Sequence, residues 1–276
     1  MRSLQGKTAI ITGAASGIGK ATAIALAQRG LSLGLVDINA PALDDLQSHL
    51  QTSVEHLSFT THRCDVSDPQ AMEKMAQQAI AEHGGVDIVI NNAGINITAS
   101  FEEHTLRDFQ RTFDVNLWGV IHGCRSFLPH LKTRPWGHLV NISSAFGIVG
   151  VASQSAYSAS KFAVRGFSES LHEELADTPV DVSVVHPGCI ATSIVESARI
   201  ANADAVDEIT AFFRDHGHDP DVVARRIIKA VERRTHRVVV TPEAYLLDLL
   251  RRLMPTTGNR IANRLMQRFM DTDLLG

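Results

Sequence analysis

The chain has 276 residues, 44% hydrophobic and 20% charged, the balance of a soluble globule with ample length for a buried core. A formal net charge of −4 gives no electrostatic case for nucleic acid, and no apolar run reaches the ~20 residues of a membrane span. Three well-separated cysteines, Cys64, Cys124 and Cys189, suggest neither a disulfide framework nor a zinc ribbon and fit a reducing, cytoplasmic setting; thirteen histidines include no His-Glu-x-x-His and imply no metal.

Short apolar runs alternate with longer amphipathic stretches along the chain. The runs 8–12, 31–36, 57–63, 87–91, 138–142, 181–185 and 237–240 are apolar on both faces, as buried parallel strands are. Helices are expected between them at 19–29, 41–50, 69–83, 105–131, 155–176 and 219–233, with Asp68-Pro69 and Asp219-Pro220 as start signals. Strand-helix alternation of this kind predicts an α/β fold with a doubly wound parallel sheet of about seven strands. One domain spans 1–241, including a long insertion at 191–217, and a C-terminal helical extension follows at 242–276.

The first run has a weak signal-peptide character, but glycines interrupt it and it reads as a strand. It leads into Thr12-Gly13-Ala14-Ala15-Ser16-Gly17-Ile18-Gly19 and then a helix. Glycines there let backbone amides approach a phosphate, and the helix N-terminus adds the positive end of a dipole. A glycine turn alone also serves tight helix packing; its place between strand and helix is what points to a nucleotide. Strand two ends at Asp37, eighteen residues after Gly19. A carboxylate there accepts hydrogen bonds from both adenosine ribose hydroxyls of NAD and repels the extra phosphate of NADP. No arginine or lysine stands among Ala14, Ala15, Ser16, Ile38 and Asn39, so NAD is the expected cofactor and NADP the runner-up. The other reading of Asp37 is a helix cap before Pro41. Asp65, with Val66 beside it after strand three, is either an adenine contact or a plain strand-end turn.

The chain has two tyrosines and six lysines, and Tyr157 has Lys161 four residues on inside a helical stretch. That spacing puts phenol and ammonium one turn apart on one face. A neighbouring cation favours the charged form of an acid, so Lys161 is expected to lower the pKa of Tyr157. A free phenol titrates near ~10, and work near neutrality needs a drop of about three units.

Taken in order, the loop Thr12 to Gly19, the turn Asn91-Asn92-Ala93-Gly94 after strand four, and the Tyr157/Lys161 pair resemble the short-chain dehydrogenase/reductase family. Asp65, Asn116 in Val115-Asn116-Leu117, Ile142-Ser143-Ser144, and Pro187-Gly188 with Thr192 agree with it, and the likeness covers about Leu4 to Thr241. The resemblance implies a Rossmann-type fold and NAD-linked interconversion of an alcohol and its ketone. It implies that Tyr157 is the catalytic acid/base and also touches the cofactor, and that Lys161 lowers its pKa and bonds the nicotinamide ribose. Ser144, thirteen residues before Tyr157, is then the serine that holds the substrate oxygen, with Ser143 the neighbour to be confused with it. Asn116 resembles the asparagine that holds a water between Lys161 and solvent. Gly13, Ser16, Gly17, Ile18 and Gly19 are the implied phosphate loop. Asn92, Ala93 and Gly94 would pack beside the cofactor, and Pro187, Gly188, Ile190 and Thr192 would hold its nicotinamide end. Cys189 reads as a packed hydrophobe, because no basic partner is apparent. A homodimer or homotetramer is implied, with the apolar face Ala163, Phe167 and Leu171 as the contact.

Residues after strands four to six and in the insertion, such as Ile95, Ile97, Phe146, Ile148, Val149, Ile194, Val195, Ile200, Phe212 and Phe213, predict a largely apolar alcohol or ketone as partner. Arg199 and Arg214 read as exposed helix charge, with an anion contact as the alternative. The tail holds a leucine-rich run with Arg251 and Arg252, then Ile261, Leu265 and Phe269 at i, i+4, i+8. Three readings of it stay open: a lid over an apolar pocket, packed on its own or a neighbouring subunit, which is the favoured one; an oligomer contact; or a basic amphipathic helix at a membrane surface, the least favoured. Two other functions compete. An NAD-binding sensor without chemistry is opposed by the intact set Asn116, Ser144, Tyr157 and Lys161. A sugar-nucleotide epimerase is opposed by the short length and the glycine spacing.

Overall fold

Ile10 and Ile11 are neighbours in sequence and both are fully buried, on opposite faces of one strand. A strand covered on both faces needs helices on both faces, and this requirement organises the molecule. A computed structural model of the chain describes residues 1–54, 56–192, 199–200 and 211–270, with backbone alone at 199–200 and 266–270. Its elements are β1 (Thr8–Thr12), α1 (Gly17–Ala27), β2 (Ser32–Asp37), α2 (Ala40–Ser53), β3 (Phe59–Arg63), α3 (Pro69–His83), β4 (Ile88–Asn91), β5 (Ile97–Thr98), α4 (Leu106–Phe113), a π-helical turn (Asp114–Trp118), α5 (Gly119–Leu131) and β6 (Gly137–Ile142). A 3-10 turn (Ala145–Gly147) follows, then α6 (Ser155–Glu174), β7 (Val180–His186), β8 (Arg199–Ile200), α7 (Pro220–Arg233), β9 (Arg237–Val239), α8 (Pro242–Leu253) and α9 (Gly258–Met270).

Seven strands form one parallel sheet in the order β3-β2-β1-β4-β6-β7-β9. The order reverses between β1 and β4, and in such sheets the crevice beyond the strand C-termini at that point takes the ligand. Ala9, Ile11, Leu33 and Leu35 pack with Leu26 of α1, Leu43 and Leu46 of α2 and Ile227 of α7. Ile10, Val36 and Val89 pack on the other side with Met72 of α3, Phe127 of α5 and Val164 of α6. The doubly wound α/β sheet expected from the alternation is therefore the fold observed.

Local chemistry explains the helix starts. Asp68 accepts from the N–H groups of Gln70 and Ala71 ahead of Pro69, Asp219 does the same for Asp221, and Thr105 with Asp108 forms a reciprocal capping box. Three features were outside the sequence pattern. The helix expected over 105–131 is broken by the π turn, which buries Asn116 in line with the buried Asp108 and Thr112 of α4 and so has no apolar signature. β5 and β8 pair as a second, parallel sheet too short to show alternation. Phe167 and Leu171 pack into the core beneath α6, so part of the face expected at a subunit contact is used inside the chain.

The tail packs on its own chain. Ala244, Leu247 and Ala262 form a small separate core with Ala145, Val149 and Val239. Asn259 accepts from Gly150 N–H at 2.9 Å and donates to its carbonyl at 3.1 Å, and Asn263 accepts from Ala152 N–H at 3.1 Å. Leu249 and Leu253 stay exposed. No helix among the described residues is long and apolar enough to cross a membrane.

Candidate active site

The end of β1 is stitched to the end of β4. Thr12 Oγ1 accepts from the N–H groups of Asn92 at 3.0 Å and Ala93 at 3.1 Å, while Asn92 Nδ2 donates to the carbonyls of Thr12 at 3.0 Å and Gly13 at 3.1 Å. Gly13 (φ +65°) and Gly17 (φ +49°) take left-handed backbone that favours glycine, and a Cβ on Gly13 would lie 2.9 Å from Ala93 Cα. Gly19 departs from its expected place at the phosphates. It sits behind the loop, where a Cβ would fall 2.0 Å from the Gly13 carbonyl oxygen, so close helix packing is what requires glycine there.

Helix α1 starts without a side-chain cap and faces the cleft. Asn39, Asp68, Thr105 and Asp219 each cap the helix they precede, whereas Ser16 makes no side-chain cap to α1, as Gln154 makes none to α6 and Thr241 none to α8. The first-turn amides of α1 keep their donors, beside a loop in which Gly13, Ser16, Gly17 and Ile18 line the cleft. This donor set fits a dinucleotide phosphate. Asp37 accepts from Ala15 N–H at 3.1 Å and Asn39 N–H at 3.0 Å, which aims its carboxylate beside the loop; Asn39, not Asp37, caps α2. Asp65 accepts from Ser67 N–H at 2.9 Å and Oγ at 2.7 Å, so it is a strand-end turn and also lines the cleft together with Val66.

At the other end, Ser144, Tyr157 and Lys161 line the same cleft, whose volume is about 1350 Å³. Ser143 Oγ donates to the Lys161 carbonyl at 2.8 Å and is thereby committed to α6, whereas Ser144 Oγ accepts from Phe146 N–H at 3.1 Å and reaches the Tyr157 side chain. The Phe146 ring meets Tyr157 edge-on at 6.1 Å. Lys161 Nζ donates to the Ile142 carbonyl at 2.9 Å and lies 5.7 Å from the centre of the Tyr157 ring.

These contacts correct one expectation. Burial raises the Tyr157 phenol above its ordinary value, and the Ser144 hydrogen bond works the other way. Lys161 is drawn down to about 8 by burial. The ammonium faces a carbonyl and the ring face rather than the phenol oxygen, so in this arrangement it does not lower the phenol.

Asn116 is fully buried and does not line the cleft. Its Oδ1 accepts from Ile95 N–H at 2.8 Å, and its Nδ2 donates to the Ile95 carbonyl at 2.9 Å and to Ser160 Oγ at 3.1 Å. The π turn that carries Asn116 thus fastens the turn after β4 to α6. Gly94 keeps this group close, since a Cβ there would come 3.2 Å from Asn116 Oδ1 and 3.4 Å from Lys161 Nζ.

Pro187, Gly188, Ile190 and Thr192 line the cleft with Asn92, Ala93 and Gly94. The loop is held by Ala145 N–H donating to the Pro187 carbonyl at 2.7 Å, and Thr192 abuts Gly17, where a Cβ would lie 3.1 Å from its side chain. The Cys189 thiol is pushed up to about 12, first by burial and then by the Glu243 carboxylate, so it stays protonated and is no nucleophile. Ile95, Phe146, Phe212 and Phe213 line the pocket as expected, but Ile97, Ile148 and Val149 are buried behind it. Ile194 and Val195 lie outside the described residues, as do the side chains of Arg199 and Ile200. Leu246, Leu247 and Leu265 of the tail join the lining, in keeping with the lid reading though not individually expected there, while Arg107, Arg111 and Glu243 were missed. Their signal was the leucine spacing of the tail and the i, i+4 arginines of α4, neither of which says what it faces. No group of three His, Cys, Asp or Glu side chains suited to a metal ion occurs among the described residues.

Comparison with known proteins gives a consistent result. The family profile described as short chain dehydrogenase matches residues 7–203. SadH of Mycobacterium tuberculosis, which bears an oxidoreductase name, is 39% identical over 265 residues, 95% of each chain. A short chain dehydrogenase/reductase from Burkholderia phymatum, solved in complex with NAD, superposes with a TM-score of 0.85 at 28% identity, over 92% of this chain and 95% of that one. A short-chain dehydrogenase from Streptomyces avermitilis gives a TM-score of 0.78 at 29% identity, over 97% and 96%.

Proposed function

The chain belongs to the short-chain dehydrogenase family, and on that premise we propose that it is an NAD-dependent oxidoreductase interconverting a largely apolar secondary alcohol and its ketone. The observation that carries this reading is the meeting, in one cleft, of the glycine loop and Asp37 with Ser144, Tyr157 and Lys161. NAD, when bound, supplies the hydride acceptor. Tyr157 moves the proton: its phenolate takes it from the alcohol, and its phenol returns it to the ketone. Ser144 holds the substrate oxygen beside that phenol. Lys161 bonds the nicotinamide ribose and sets a positive charge behind the ring, and a water near Asn116 and Gly94 links it to solvent.

Asp37 selects NAD over NADP. In support, no cation stands among Ala15, Ser16, Ile38 and Asn39 beside Asp37; the arginines lining the cleft, Arg107 and Arg111, belong to α4. The apolar substrate is supported by Phe146, Phe212, Phe213, Leu246, Leu247 and Leu265 at the other end. The raised Tyr157 keeps its proton at neutral pH, so reduction finds its acid ready, and oxidation, which needs the phenolate, speeds up as the pH rises through the alkaline range. Initial rates in both directions across the neutral and alkaline range test this, and an oxidation optimum below neutrality contradicts it.

We place the protein in the cytoplasm, in keeping with its three free cysteines, as a homodimer or homotetramer. Leu106 and Phe162, exposed on the adjoining α4 and α6, suit a subunit contact, and light scattering on the eluted protein decides it. The decisive test of function is a panel of alcohols monitored by NADH formation, with Tyr157→Phe as control. Preference for sugars or charged acids sinks the apolar substrate, faster turnover with NADP sinks the cofactor assignment, and an active Tyr157→Phe variant sinks the mechanism.

A further inference from the structure

The tail reaches the cofactor end of the cleft through a charged group. Glu243, in the first turn of α8, turns its carboxylate onto the loop 187–192: Oε1 accepts the N–H of Cys189 at 2.9 Å, and Oε2 lies 3.3 Å from Nε2 of His218. Gly188 is open to this approach, because a Cβ there would stand 2.3 Å from Glu243 Oε1 and 2.1 Å from Thr241 Oγ1. His218 is laddered to the same loop. Its N–H donates to the Cys189 carbonyl at 2.9 Å, and its carbonyl accepts from Ala191 N–H at 3.0 Å. Burial alone would raise the Glu243 carboxyl, but the Thr241 hydroxyl, then the Cys189 amide and the Glu243 amide, and last the His218 imidazole outweigh it and hold it below its ordinary value. The acceptor is therefore a charged one, which makes the stronger hydrogen bond.

A peptide unit is planar and trans here, so fixing the Cys189 N–H also fixes the Gly188 carbonyl, which points the opposite way. Gly188 and Ile190, on either side of the clamped residue, both line the cleft. A loop already held in its bound form loses less conformational freedom when a ligand arrives, and the saving appears as affinity. We propose that Glu243 is a positioning residue whose carboxylate locks the Gly188–Cys189 peptide and so preorganises the loop 187–192 for the nicotinamide end of NAD. The inference rests on the NAD-dependent reading above. Glu243 and His218 both lie beyond residue 203, where the match to the family profile ends, with Glu243 on the first helix of the tail and His218 just ahead of α7.

The test is fluorescence titration of the full-length protein with NADH and, separately, calorimetric titration with ADP-ribose, without substrate, on wild type, Glu243→Ala and Glu243→Gln, with a melting curve for each. Glu243→Ala is expected to weaken NADH binding about tenfold, the worth of one hydrogen bond to a charged group. ADP-ribose binding, which engages Asp37 and the glycine loop but not the nicotinamide loop, is expected to stay within about twofold in all three. Glu243→Gln keeps an oxygen for the Cys189 amide and is expected to recover most of the lost affinity. Equal NADH affinity in wild type and Glu243→Ala overturns the inference alone, as does an equal loss of ADP-ribose and NADH binding. Wild type that binds ADP-ribose but not NADH overturns the functional reading and the inference together.

Discussion

The two ends of the cleft are built from different materials. The nucleotide end is made mostly of backbone, with the Asp37 and Asp65 carboxylates beside it: glycines with positive φ, the uncapped amides of α1, and turns at the C-termini of β1 and β4. The substrate end is made of side chains, Phe146 beside Tyr157 and leucines from two tail helices. Backbone sites need particular residues at fixed spacing, because each amide must fall at one place. Side-chain walls need only apolar bulk, which many sequences provide. The first kind of site is therefore written in motifs, and the second is assembled by packing.

The difference can be broken experimentally, and the largest effect belongs to chemistry. Tyr157→Phe is expected to lower turnover by about 10²- to 10⁴-fold while NADH binding, measured by titration, is unchanged. A simultaneous loss of binding would mean that the two ends are not separable. Next comes packing. Leu26 is fully buried between α1 and the sheet, and Leu26→Ala is expected to cost about 2–5 kcal/mol in urea unfolding. Leu247 lines the cleft, so its truncation opens space that water can enter, and about 1–3 kcal/mol is expected. Equal costs would show that the tail is as integral to the fold as the sheet.

Acid should act on the sheet before the tail. Burial holds His138, on β6, down to about 3 and His186, at the end of β7, down to about 4, against an ordinary value of 6.5. Below that ordinary value the unfolded chain takes up protons that the native state refuses. The stability they contribute is complete above pH 6.5 and is lost as the pH falls toward these values, each with a slope of about 1.4 kcal/mol per pH unit. Denaturant melts across that window check the sign, and His138→Gln should flatten the acid limb. Leu253→Glu, on the exposed face of α8, should change stability by no more than about 0.5 kcal/mol. A large destabilisation there would point to a partner covering the tail.

Much of the nucleotide end was legible from residues alone. The run 8–12 and the helix 69–83 coincide with β1 and α3, because Gly13 ends the first and Asp68-Pro69 starts the second. The Tyr157/Lys161 spacing correctly put both side chains on one face, but not the atoms they address. Lys161 bonds the Ile142 carbonyl, and backbone carbonyls have no letter in a sequence. Gly19 was legible as a necessary glycine while its reason, packing against Gly13, was not. Leu246 and Leu265 share a wall only because α8 and α9 fold back on each other, a tertiary fact that no local period encodes.

The missing cap on α1 has a thermodynamic consequence. Four helices begin on a built-in acceptor, whereas the start of α1 lies open to the cleft, where an anion would reach Ser16, Gly17 and Ile18. A ligand that binds only the native state stabilises it by mass action, about 2.7 kcal/mol at a hundredfold excess over its Kd. The nucleotide would then act as a removable part of the protein's heat resistance, and the melting temperature of a sample would report how much dinucleotide it contains.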